Sequence, residues 1–130
     1  MNHRILVVED NPLNAELLME WLLTEGYQVE SASDLKSSIS AVERLQPQAV
    51  LLDVQLGDED GLALAAWIRQ QPALCHIPVI AVTAHAMATE RHHVLRSGCN
   101  AFISKPVDFH LLQEQLDRWL PPSRPAEAAK

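Results

Sequence analysis

Four short apolar runs in this chain each end on a polar residue, and no other feature narrows the possible folds as far. Ile5-Leu6-Val7-Val8 meets Glu9-Asp10, Val50-Leu51-Leu52 meets Asp53, Val79-Ile80-Ala81-Val82 meets Thr83, and Ala101-Phe102-Ile103-Ser104 meets Lys105. Strands that are near-continuously apolar are buried on both faces, which calls for a parallel sheet with helices on each side. Parallel strands bring their carboxyl ends to one edge, where open α/β sheets place ligand sites. Three carboxylates, a hydroxyl and an ammonium then converge. Such a group can hold a divalent cation against a carboxylate and receive a phosphoryl group there, because metal and lysine offset the arriving charge.

Helical periodicity fills the gaps between the runs. From Asn14 to Glu25, Leu17, Leu18, Trp21 and Leu22 share one face, and Gly26 is the stop. Gln28 to Ser31 reads as a second strand, and Asp34 can cap a helix running through Ile39, Val42 and Leu45 to about Pro47. Asp60 can cap a third helix carrying Leu62, Leu64, Ala65 and Ile68, which must end before Pro72. A fourth covers about Met87 to Ser97 and is closed by Gly98, and a fifth follows Pro106 and Asp108 with Leu112, Leu116, Trp119 and Leu120. Strict alternation of five strands with five helices, joined by right-handed crossovers, predicts the α/β, flavodoxin-like doubly wound sheet of order 2-1-3-4-5. Its switch point lies between strands 1 and 3, where Glu9, Asp10 and Asp53 would meet. One domain over residues 1–120 results; the segment 121–130 holds three prolines without apolar periodicity and is read as a disordered tail.

A chain of 130 residues, 48% hydrophobic, can bury one core without disulfides or structural metal. Its formal net charge of -7 disfavours nucleic acid and anionic membranes as partners, which leaves protein partners. The Ile5 to Val8 run is too short for a signal-peptide core or a membrane span, so a cytoplasmic location is expected. Cys75 and Cys99 have neither metal-ligand nor redox spacing and read as inert semi-apolar residues. His92 and His93 would point about 100° apart on a helix, which argues against one shared metal. With His85, Arg91 and Arg96 they make the fourth helix a polar, locally basic contact surface on an acidic chain.

From about Arg4 to Leu120 the chain resembles the receiver domain of bacterial two-component response regulators. The resemblance rests on Glu9-Asp10, the strand-end Asp53, Thr83-Ala84 and Lys105-Pro106, in that order and context. Taken singly, Asp53 would be a helix cap, Lys105 a solvated charge, Thr83 a strand residue and Phe102 core. Together they imply that Asp53 is the phosphoacceptor, served by a histidine kinase or a histidine phosphotransfer protein. They imply Mg2+ bound by Asp10, Asp53 and the Gln55 backbone carbonyl, with Glu9 acting through water. Lys105 and the Thr83 hydroxyl would contact phosphoryl oxygens, and the Phe102 ring would turn inward as Thr83 moves. The Lys105-Pro106 bond is a candidate for cis geometry. The surface formed by the fourth helix, fifth strand and fifth helix would engage an output partner. Gln55 and His85, two residues after the acceptor and the threonine, would tune the lifetime of the acyl phosphate.

The chain departs from the family at Gly57, where proline is usual, and at Glu59, where an apolar residue is usual, so a more flexible loop is expected. The implied protein is a signalling switch that catalyses only its own phosphorylation and dephosphorylation. With no effector-like segment after Leu120, it reads as a free-standing regulator or a receiver cut from a larger protein; Thr83 to Pro106 looks most like single-domain and hybrid-kinase receivers. A scaffold that binds partners without phosphorylation is one alternative. An aspartyl-phosphate phosphatase is another, disfavoured because its Asp-x-Asp pair would need an acid where this chain has Gln55.

Overall fold

The computed structural model describes residues 3–84 and 87–120. Its elements run β1 (Arg4–Val8), α1 (Pro12–Thr24), β2 (Gln28–Ala32), α2 (Leu35–Leu45), β3 (Ala49–Asp53), β4 (Gln55–Leu56) and β5 (Glu59–Asp60). There follow α3 (Leu62–Gln70), β6 (Val79–Thr83), α4 (Ala88–Arg96), β7 (Ala101–Ser104) and α5 (Phe109–Trp119). The long strands form one parallel sheet of order β2-β1-β3-β6-β7, which is the expected 2-1-3-4-5 order once the short β4-β5 hairpin is set aside.

Alternation along each strand sorts the apolar residues into two cores. Leu6, Val8, Val50, Leu52, Val79 and Ala81 pack with Ala41 and Val42 of α2, Leu64, Ala65 and Ile68 of α3, and Val94 of α4. Their sequence neighbours Ile5, Val7, Ala49, Leu51, Ile80 and Ala101 point the other way, onto Leu18 and Leu22 of α1 and Leu112 and Leu116 of α5. Each such large side chain contributes about 1.5 to 3 kcal/mol by burial, which locks the register that brings the strand ends level.

Local chemistry sets the helix starts. α1 begins before Asn14, because the Asn11 side chain accepts from the Leu13 and Asn14 amides and Pro12 occupies the first turn. The buried arc is centred on Ala15, Leu18 and Leu22, and Leu17, expected on the core face, lies about 100° round the helix from Leu18 and is 54% exposed. Asp34 caps α2 as expected, and its side chain accepts from the Ser37 amide. At α3 the cap position is Gly61, and Asp60 lies one residue earlier, accepting from the Leu62 amide. Asp108 caps α5 through the His110 and Leu111 amides.

Arg69 ties the far end of the sheet together. Its guanidinium donates to the carbonyls of Gly98, Cys75 and Ile77 at 2.9, 3.0 and 2.7 Å and to Asn100 Oδ1 at 2.5 Å. Asn100 Oδ1 also accepts from the Val79 amide, so one cluster fixes where β6 starts. Cys99 beside it is buried, and that burial pushes its thiol up to about 12, which agrees with an inert residue.

Candidate functional site

Register alone assembles the site. Val8 pairs with Leu52, Asp53 with Val82, and Thr83 with Ser104, so Glu9, Asp53, Thr83 and Lys105 all fall at or just beyond the last rungs. Backbone bonds hold these ends: Glu9 N–H donates to the Ala32 carbonyl, Val54 N–H to Val82, and Lys105 N–H to Thr83, at 3.0, 3.1 and 2.8 Å. The side chains line a cleft of about 300 Å³ with Asp10, Gln55 and Gly57.

Glu9, Asp53 and Thr83 are buried, which is costly for acids unless something compensates. Lys105 Nζ lies 3.2 Å from Asp53 Oδ2 and 3.5 Å from Glu9 Oε1. Asp53 Oδ1 accepts from the Gln55 amide at 3.1 Å, and Glu9 Oε2 from the Asn11 amide at 3.2 Å. One ammonium does not neutralise the group. Burial, followed by a hydrogen bond with Asp53, pushes Glu9 up to about 7, against the pull of the Asn11 amide and Lys105. Two buried acids beside a third, exposed one at Asp10 form an oxygen donor set suited to a hard cation. One carboxylate oxygen from each of Glu9, Asp10 and Asp53 lies within 4.8 Å of the others, so the three acids would together surround a hard divalent cation. No other metal-capable cluster occurs among the described residues, and His92 and His93 stand exposed on α4.

The loop after Asp53, expected to be more flexible, is held by two antiparallel rungs, Gln55 to Asp60 and Leu56 to Glu59. Gly57 turns this hairpin at φ +59°, which proline, fixed near -65°, cannot adopt. The departure from the family at this position therefore builds a different turn. A Cβ on Gly61 would fall inside contact of the Asp53 carbonyl and 2.8 Å from the Val54 carbonyl, so the end of β3 can pass only over glycine there. Glu59 reaches α2: its Oε1 accepts from the Leu35 amide at the start of that helix, at 2.9 Å. Phe102 is half-buried on β7, with the Arg91 guanidinium 5.4 Å from its ring centre. The Lys105-Pro106 bond is cis. His85 lies outside the described residues, as do residues 121–130.

Sequence reasoning missed the Asn11 cap and the reach of Glu59 to α2. The first was signalled by an Asn-Pro pair, while the second joins residues 24 apart and had no local signal.

A family model, the response regulator receiver domain, matches residues 5–117. The chain belongs to that family. This receiver domain, a module of two-component signalling, is 32% identical over 120 residues to the polar-differentiation response regulator DivK of Brucella ovis, covering 92% of the chain and 98% of DivK. Among solved structures it is similar to the receiver domain of the sensor histidine kinase PA1611 from Pseudomonas aeruginosa PAO1, with 34% identity and a TM-score of 0.83. That match covers 92% of this chain and 98% of the other, whose active-site cleft coordinates a magnesium ion. A response regulator from Chloroflexus aurantiacus J-10-fl superimposes with a TM-score of 0.86 at 26% identity, over 91% and 97% of the two chains. No described helix is long and apolar enough to cross a membrane.

Proposed function

We propose that this receiver domain, residues 1–120, accepts a phosphoryl group on Asp53 from a phosphohistidine of a histidine kinase or histidine phosphotransfer protein in the cytoplasm. The observation that carries the reading is a buried Asp53 carboxylate with Lys105 3.2 Å away and two further acids around it. An Asp53 oxygen attacks phosphorus, the phosphorus–nitrogen bond breaks, and its electron pair leaves with the imidazole. Glu9, Asp10, Asp53 and the Gln55 carbonyl are the residues that would hold Mg2+, Glu9 through water; the ion supplies charge neutralisation that a dianion approaching three acids requires. Lys105 holds one phosphoryl oxygen and the Thr83 hydroxyl another. Thr83 then pulls on the end of β6, and Phe102 turns inward on β7, changing the surface of α4, β7 and α5. Gln55 and His85 set how readily water reaches the acyl phosphate. The domain's only catalysis is on its own acceptor, and its output is binding.

A protein donor is supported by an apolar groove of about 470 Å³ that opens beside the cleft. It shares Glu9, Asn14 and Lys105 with the cleft and is walled by Leu17, Val107 and Phe109, which gives the exposed Leu17 a use.

The test is incubation with acetyl phosphate and magnesium, read by intact mass. Wild type should gain one phosphoryl adduct that requires magnesium, and Asp53→Asn should gain none. A folded wild type that binds magnesium yet stays unmodified would overturn the proposal and favour a phosphorylation-independent scaffold.

A further inference from the structure

We infer that the groove between α4, β7 and α5 binds an acidic peptide segment, carboxylates flanking an apolar side chain. The inference rests on the proposed output surface and names the chemistry of its partner. The groove encloses about 260 Å³, and its walls include Arg91, Leu95, Phe102, Arg118 and Trp119 but no acid. That is unexpected on a chain of net charge -7.

The acids of the flanking helices are turned elsewhere. Glu90 lines the cleft on the acceptor-loop side, Glu114 pairs with His110, and Asp117 accepts from Gln113. Neither Arg91 nor Arg118 forms an ion pair among the described residues. Each guanidinium instead lies over an aromatic ring, Arg91 5.4 Å from the Phe102 centre and Arg118 5.6 Å from that of Trp119. Trp119 is itself held by its indole N–H donating to Gln115 Oε1 at 3.1 Å. Stacking leaves the edge of a guanidinium free to donate, and that edge matches a carboxylate in two parallel hydrogen bonds. Two such forks on either side of an apolar floor present the composition that interface centres favour, arginine with aromatic residues. The chain's net charge of -7 disfavours an acidic ligand in general, so an acid-free groove with two arginines also sets where it lands. Because Phe102 forms one wall, any movement of that ring reshapes the groove.

Random peptides displayed on phage are selected on the full chain, before and after treatment with acetyl phosphate and magnesium, and the enriched sequences are measured by fluorescence anisotropy. The expected pool is enriched in Asp and Glu around Leu, Ile or Phe. Its members should bind at least about tenfold more weakly to Arg91→Ala with Arg118→Ala and lose affinity as salt rises. That double variant keeps its circular dichroism and its Asp53 labelling, because neither arginine touches the acceptor cleft. A pool no more acidic than the starting library, binding that ignores the double variant, or tighter binding of a single-stranded oligonucleotide than of any selected peptide would overturn the inference. Asp53 labelling, read separately by intact mass, tells failure of this inference from failure of the phosphoacceptor reading.

Discussion

α4 and α5 flank the same strand, β7, but they are attached to the molecule by different means. α5 buries Leu112 and Leu116, packs Phe109 and Trp119 against the same core, stacks Phe109 on Trp21 of α1, and is capped by Asp108. α4 buries Val94 alone, and its cap residue Met87 offers no side-chain acceptor. Glu90, Arg91, His92, His93 and Arg96 make up most of the rest of its nine residues, and its Leu95 is 43% exposed. The contrast teaches how one fold can keep chemistry rigid and its readout movable. Asp53, the proposed acceptor, lies on strand ends that two cores fix from both sides. The helix nearest Thr83 hangs from a single apolar anchor, so a displacement at the site costs little to transmit there.

The largest test of that contrast compares anchors. Leu112→Ala should cost about 3 kcal/mol of unfolding free energy, and Val94→Ala less than about 2 kcal/mol, measured by urea denaturation. Native-state amide exchange should also separate the helices, with α4 amides exchanging through local opening and those of α5 only near global unfolding. Equal costs and equal protection would remove the asymmetry.

A second test asks whether the rigid end stores charge repulsion. Glu9 sits near 7 in the folded protein, above its ordinary value of 4.5. Between those values the folded state holds the extra proton, so this group's contribution is full below 4.5 and is lost as pH rises through about 7. Metal-free protein should therefore lose on the order of 2 kcal/mol of stability from pH 5 to pH 8, and Glu9→Gln should flatten the trend. Added magnesium should stabilise the wild type more at pH 8 than at pH 5. A slope left unchanged by Glu9→Gln would place the strain elsewhere.

These regions also differed in how much the sequence disclosed. The sheet, its order and the grouping of Glu9, Asp10, Asp53, Thr83 and Lys105 were legible because apolar runs of fixed period end on polar residues, and parallel pairing does the rest. Leu17 was misplaced because Leu17, Leu18, Trp21 and Leu22 span a wider arc than the sheet covers, and packing selected the side of that arc that carries Leu18, Leu22 and the small Ala15. The acceptor loop was least legible. Gly57 read as an omission of proline, whereas its left-handed φ makes a hairpin that proline would forbid, and Glu59 read only as a lost apolar residue one position before the expected helix cap Asp60. The backbone sends them to different tasks: Asp60 to the Leu62 amide and Glu59 to Leu35. Non-local hydrogen bonds of that kind depend on where a turn aims a side chain, which no local pattern records.

The smallest expected effect probes that last bond. Glu59 gives α2 an acceptor at Leu35, beside the Asp34 cap that serves Ser37, so the start of α2 is secured partly by the acceptor loop. Glu59→Ala should cost about 0.5 kcal/mol, the range of a surface helix-start interaction, with Asp34 still in place. Amide exchange should locate the loss: faster at Leu35, unchanged at Ser37. Glu59→Gln keeps an acceptor and removes the charge, so it should restore protection at Leu35 while recovering only part of the stability. If Leu35 exchanged equally in wild type and Glu59→Ala, the loop would not be holding α2. The departure from the family at position 59 would then be a surface charge and not a tie between the acceptor loop and its neighbouring helix.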